Sequence, residues 1–428
     1  MNAKTIKSFL SRTQLDRIRL RPVSRLLGLA AVLATGFGAT YAQSSGPITG
    51  FLVSNSDAAS ISTDVLVPDT VSFFNIAPGG ALTPTSNVRM DGVGGGGGDF
   101  AANRAVVVST GQDTCVFASF SAGTASTGKS AAIAGILVTT HGATVSGTFS
   151  ARPTDSGITR SGTSHGIGLA ANSEYLYASF AASGTIGTFK IDQGCKLTFV
   201  DDLFTVGLAN GWVTGMAIHD RIMVLAYGDG SIESFNISRG TPVSDGDVQN
   251  STGFKDDHMP NGVDITRDGH FAIFGDASTV TTVEVSDISS GKLNPTVPYN
   301  LGTGWNSANV RLSPDESTLF VSNNSSGQIT AAFFDKVSGK LSRGCTSAPL
   351  TNFYSTWTYA GAIGLQLPSE AGGYLYIPEF GSNSIGVVRF ESTGTSCTLS
   401  EIANSPFPFI AGIGASPLSV EVFPGRPF

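Results

Sequence analysis

The chain has 428 residues, 13% of them charged, with 53 glycines, 19 prolines, four cysteines and a formal charge of −7. No long helix-period segment follows residue 42, so an all-β chain with many tight turns is the expected class. Without the first 42 residues, which hold seven basic residues and one acidic one, 18 basic and 31 acidic residues remain, a balance of −13 that excludes a grip on nucleic acid or an anionic membrane surface.

The first predicted object is a leader over residues 1–42. Lys4, Lys7, Arg12, Arg17, Arg19, Arg21 and Arg25 precede the apolar run LLGLAAVLATGFG, which ends at ATYAQ with small residues at Thr40 and Ala42. That is the layout of a cleaved secretory signal, and the run is too short to span a bilayer. No cysteine lies near the cleavage point, so a lipid anchor is not expected. Residues 43–428 then form a single domain, secreted or periplasmic and monomeric, with no stable membrane insertion.

Next come GFLVSNSDA, DTVSFFNIAPGG and ALTPTSNVRM, three strand-like runs that resemble the second to fourth strands of a four-stranded unit lacking its first. Six fuller copies follow, in which an apolar run, a turn, a second run, a polar turn and a third run repeat. VRLSPDESTLFVSNNSSGQITAAFFDKVSGKLS is the clearest, with Asn, Ser and Gly at its reversals. The ends of the first runs, at Ser109, Ala170, His219, Thr266, Ser313 and Pro368, are 61, 49, 47, 47 and 55 residues apart. Four-stranded repeats of this period predict the blades of a β-propeller. The last run, SPLSVEVFP at 416–424, is a first strand with nothing after it. Joined to the N-terminal three it completes a seventh blade, so the prediction is an all-β, seven-bladed β-propeller closed by strand exchange between the chain ends.

Cys115, Cys195, Cys345 and Cys397 show no metal-type spacing, and an exported chain can oxidise them. Of the three possible pairings, Cys115 with Cys195 and Cys345 with Cys397 is preferred, because each pair falls in neighbouring blades.

The units LYASFAASGTI, LFVSNNSSGQI and LYIPEFGSNSI resemble those of the seven-bladed lactonase-type propellers, which include 6-phosphogluconolactonase-like proteins and fungal carboxymuconate-lactonising enzymes. The resemblance covers roughly residues 47–424. It implies a site at one mouth of the central channel, built in the lactonising enzymes from a His, a Glu and paired arginines. HMPNGVDITRDG is also similar to the PNG strand of calcium-dependent gluconolactonase-type propellers, which would make Asn261 a ligand-binding residue. No carboxylates at matching blades complete a metal shell, and neither metal nor cofactor is expected.

In a four-stranded blade the loop entering the first strand and the loop between the second and third emerge on one face. Entry loops carry Arg104, His165, Trp212, His258, Trp305 and Trp357; second-to-third loops carry Asp229, Asp276 and Glu379. In a lactone-forming or lactone-opening site His258 or His165 would move the proton, Glu379 or Asp276 would assist, and Arg104 would clamp a carboxylate. The three tryptophans would stack on a ligand. The first expectation is a propeller that binds a small molecule, glycan or protein at this mouth. The alternative is a lactonase or carboxymuconate-type cycloisomerase acting there on a lactone or carboxylic acid.

Overall fold

The computed structural model describes residues 50–55, 68–93, 103–120, 132–150, 167–180, 184–205, 207–208, 211–250, 260–276, 282–301, 307–323, 326–351, 363–369, 371–379, 382–409, 417 and 419–424. The expected leader lies outside them. Among the described residues no helix is long and apolar enough to cross a membrane.

Seven antiparallel sheets follow one another along the chain. In the first, the chain-terminal strand Ser419–Phe423 pairs with Phe51–Asn55, which pairs in turn with Pro68–Ile76 and then Leu82–Val93. The exchange is in register over five residues, from Phe51 opposite Phe423 to Asn55 opposite Ser419. The innermost strands of blades 1 to 7 are therefore Ser419–Phe423, Ala105–Ser109, Ile167–Ala171, Val213–His219, Pro260–Ile265, Ser307–Leu312 and Gly364–Ser369. Blades 4 and 7 depart from four unbroken strands, since each splits its outermost strand into two pieces that both pair with the third strand. In blade 4 the cause is local: after Ser244, which still pairs with Phe235, the chain leaves the ladder until Gln249, and Asp247 accepts the Ser234 N–H at 3.0 Å in place of a backbone carbonyl.

The core is a ring of seven clusters, each lying between two consecutive blades. Second strands are buried on both faces. In Thr318–Asn323, Leu319 and Val321 enter the cluster shared with blade 5, while Phe320 enters the one shared with blade 7. Burial on both faces explains why these strands read as continuous apolar runs. Outermost strands such as Lys196–Phe204 face water and keep polar residues. Where inner strands converge, bulk is excluded: a Cβ on Gly262 would lie 2.6 Å from the Val310 nitrogen.

The disulfides are Cys115–Cys195, joining blades 2 and 3, and Cys345–Cys397, joining the outermost strands of blades 6 and 7. A third tie spans the channel. Arg311 of blade 6 donates Nη1 and Nη2 to Glu421 of blade 1 at 3.3 and 3.1 Å, reaching past the inner strand of blade 7. Both side chains are largely buried, and Asp264 also attracts Arg311, so Arg311→Ala strands a carboxylate and is expected to cost roughly 3–5 kcal/mol in urea unfolding, whereas the double change to leucine should cost less, what is left being the loss of the cation from Asp264. Equal losses in both variants would show that the pair itself, and not the stranded charge, carries the effect.

Candidate functional site

One mouth of the channel is defined by where inner strands begin and second strands end. The closing residues of the second strands are Asn55, Phe120, Phe180, Tyr227, Asp276, Asn323 and Glu379. Five of the seven are polar, although the strands that carry them are apolar, so the chain spends polar residues at this end repeatedly. Asn55 and Asn323 are wholly buried. Asn55 Nδ2 donates to the carbonyls of Arg104 (3.2 Å) and Ser119 (3.1 Å), and Asn323 Nδ2 donates to Thr330 Oγ1 at 2.9 Å.

Glu379 is the chemically unusual member. It ends the strand Gly372–Glu379 opposite Ser384 and is 0% exposed. Its Oε2 accepts hydrogen bonds from Ser384 Oγ at 2.6 Å and Ser382 Oγ at 3.1 Å. Its Oε1 is buried with no hydrogen-bond partner. Gly386 lies beneath that oxygen, where a Cβ would come within 2.6 Å of it. Burial pushes the carboxyl up to about 7 from 4.5; the two serine hydroxyls pull it down, and the charge of Glu401 adds to the rise. A carboxyl half-ionised near neutrality can both take and give a proton.

The other expected residues fall into three groups. Asp229 is committed to its turn: Oδ1 accepts the Ser231 N–H at 2.9 Å, and Oδ2 accepts the Gly211 N–H at 3.2 Å, which ties down the entry to blade 4. Trp212 is half-buried in that entry, with its indole over Gly228 and its carbonyl accepting the Gly228 N–H at 2.8 Å. Arg104 is 2% exposed, and its carbonyl accepts the Ser119 N–H at 2.9 Å. For Asp276 and Asn261 only the backbone is described. Asp276 closes its strand opposite Pro260, and Asn261 lies at the register shift between Pro260 and Val263. His165, His258, Trp305 and Trp357 lie outside the described residues.

Sequence reading missed the Ser382–Ser384 hydroxyl pair and a second buried network at the seam of blades 3 and 4. There Tyr227 donates its hydroxyl to Glu233 Oε2 at 2.8 Å, with Thr205 Oγ1 2.6 Å from the same hydroxyl and Ser244 donating to Glu233 Oε1 at 2.7 Å. Burial, then the charge of Glu233, raises the Tyr227 hydroxyl far above its ordinary range. A polar residue recurring at the end of five of the seven second strands was the available signal. Among the described residues no three metal-ligating side chains converge.

A cavity of about 600 Å³ sits at the opposite end, between the turns of blades 2 and 3. Two of its three carboxylates are engaged, Asp113 by the Gly194 N–H (2.8 Å) and Asp192 by Thr198 (2.5 Å), and the third, Glu174, is exposed to water, unlike the buried Glu379.

The family described as lactonase, seven-bladed β-propeller matches residues 120–407. Among solved structures, a candidate 6-phosphogluconolactonase from Bacteroides fragilis is 14% identical, with TM-score 0.63 over 87% of this chain and 97% of that one. A second from Bacteroides uniformis is 14% identical, with TM-score 0.64 over 87% and 99%. The periplasmic gluconolactonase of Pseudomonas aeruginosa is 15% identical, with TM-score 0.54 over 70% and 82%. At these identities the likeness is one of fold. No curated protein matches the sequence.

Proposed function

Since the chain belongs to the lactonase family of seven-bladed β-propellers, we propose that it opens a lactone ring at the mouth where Glu379 lies, or closes one in the reverse direction. The observation that carries this reading is a fully buried carboxyl whose Oε1 has no partner and whose proton affinity is pushed up to about 7. In the forward direction ionised Glu379 takes a proton from water as the water oxygen bonds to the lactone carbonyl carbon. The ring C–O bond then breaks, the ring oxygen takes a proton and leaves as a hydroxyl, and the product is a hydroxy acid.

In this reading His258 or His165 delivers the second proton, Arg104 offsets charge on the carboxylate side, and Trp212, Trp305 and Trp357 pack on the ring of the substrate. The relatives named for sugar-acid lactones favour that substrate class over aromatic ones. Two disulfides, a periplasmic relative and the signal-like leader support a secreted or periplasmic location.

The test is a panel of glucono-δ-lactone, 6-phosphoglucono-δ-lactone and a muconolactone, followed by proton release and product identification. Turnover above the spontaneous rate on at least one sugar lactone is expected. Saturable binding without turnover across the panel would return the molecule to the ligand-binding role that the sequence first suggests.

A further inference from the structure

Glu379 is sealed from the mouth at which it would act: it is 0% exposed, and Ser384, which donates to its Oε2 at 2.6 Å, is only 5% exposed. Ser382 is the outer member of the group. It is half-buried, and its Oγ lies 2.5 Å from Ser384 Oγ. Among the described residues, the route from the carboxyl towards the mouth therefore runs over two hydroxyls in hydrogen-bond contact.

The direction of that route follows from the donors available. A serine hydroxyl has one hydrogen to give and two lone pairs. Ser384 gives its hydrogen to Glu379 Oε2, so in the 2.5 Å contact Ser382 is the donor and Ser384 the acceptor. Ser382 Oγ is farther, 3.1 Å, from both Glu379 Oε2 and the Glu379 carbonyl. The lone pairs of Ser382 Oγ are thus the acceptor at the outer end. The turn that carries the pair is pinned from outside: Asn383, between the serines, takes φ 59°, a left-handed conformation that asparagine tolerates, and its carbonyl accepts the Phe409 N–H at 3.0 Å. The detached outer piece of blade 7 also pairs with Ser384 and Ile385.

We propose that Ser382 and Ser384 form a proton relay from the mouth to Glu379, and that Ser382 Oγ is the group that touches the reacting water. As the water oxygen bonds to the lactone carbonyl carbon, its proton passes to Ser382 Oγ, the Ser382 proton to Ser384, and the Ser384 proton to Glu379 Oε2. The ring C–O bond breaks, its oxygen takes a proton at the mouth, and the chain run backwards returns the Glu379 proton there. The part in lactone opening rests on the lactonase reading; the relay itself does not. Blade 6 faces this seam with Phe320, Ile329, Ala331 and Leu350, which carry no charge, and among the described residues Glu401 is the charged group that acts on Glu379.

Two readouts separate the two. The first needs no lactone: the full chain is treated with diisopropyl fluorophosphate and the adduct is located by peptide mass spectrometry. In that reaction Ser382 Oγ bonds to phosphorus, fluoride leaves, and the Ser382 proton passes through Ser384 to Glu379. The adduct is expected on Ser382, forming faster as pH rises through about 7. Labelling should be slower by about 10-fold or more in Glu379→Gln and in Ser384→Ala, each checked for the parent's near-ultraviolet circular dichroism. Glu379→Gln decides alone if Ser384→Ala does not fold. The second readout is lactone hydrolysis by Ser382→Ala, where kcat should fall by about 10²-fold with KM little changed. Ser382→Thr, which keeps a hydroxyl, should recover part of the loss.

A parent without an adduct on Ser382, or folded variants labelled at the parent's rate, overturns the relay. Lactone turnover at the parent's rate in Ser382→Ala also overturns it, and leaves the lactonase reading standing. An adduct on Ser382 that depends on Glu379, with no lactone turned over by the parent, keeps the relay and removes the lactonase reading.

Discussion

Deleting residues 417–428 is expected to abolish cooperative folding of the propeller or to leave it molten at room temperature. Strand Ser419–Phe423 supplies the whole inner edge of blade 1. Val420 and Val422 are buried in the cluster between blades 7 and 1, and burial of such side chains is worth roughly 1.5–3 kcal/mol each. Ser54 Oγ donates to the Ser419 carbonyl at 2.6 Å, and the Ala105 N–H donates to Ser419 Oγ at 3.2 Å, so the strand also ties blade 1 to blade 2. Its loss further strands Arg311 without Glu421, another roughly 3–5 kcal/mol. These losses are comparable with the entire stability of a typical domain, about 5–15 kcal/mol. Thermal unfolding followed by near-ultraviolet circular dichroism measures the effect; a truncated chain that melts like the parent would mean that the ring does not depend on this closure.

The second large effect concerns Glu379→Gln and pH. The carboxyl binds its proton more tightly in the folded protein, near 7, than at its ordinary value of 4.5. Its favourable contribution is therefore fully present below about 4.5 and is lost as pH rises through about 7, by about 3 kcal/mol in total. Glutamine cannot ionise. Glu379→Gln should accordingly gain on the parent between pH 4.5 and pH 8, most of the gain appearing between pH 5 and 7.5. Urea midpoints across that range give the result, and a stability difference independent of pH would show that Glu379 titrates as an ordinary solvated acid.

Blade count, closure and disulfide pairing were legible in the sequence because each follows from a period that every blade repeats. SPLSVEVFP had no partner nearby, and the N-terminal runs had no first strand, so one gap identified the other. Cys345 and Cys397 are 52 residues apart, about one repeat, and Cys115 and Cys195 are 80 apart, less than two, which made neighbouring blades the natural span. The site was less legible, because Asp229 and Glu379 occupy equivalent loops and are indistinguishable by position. Asp229 is followed at the second residue by Ser231, whose N–H it caps, and becomes a turn brace. Glu379 is the last residue of its strand, under blade 6, and its carboxyl is desolvated instead. That difference depends on Leu350 and Gly386, which pack there only after blades 6 and 7 have assembled. The broken outer strand of blade 4 was partly readable, since SDGD signals a turn, but the pairing of Asp247 with Ser234 spans 13 residues and has no local signature.

The most direct test of the central claim is the pH dependence of proton release from a sugar lactone by the parent and by Glu379→Gln, after subtraction of spontaneous hydrolysis. With Glu379 as the base, kcat/KM should rise through about pH 7 in the parent, and the glutamine variant should be slower by about 10²–10⁴-fold with that limb gone. A glutamine variant that keeps the parent's rate and the same limb would contradict the account.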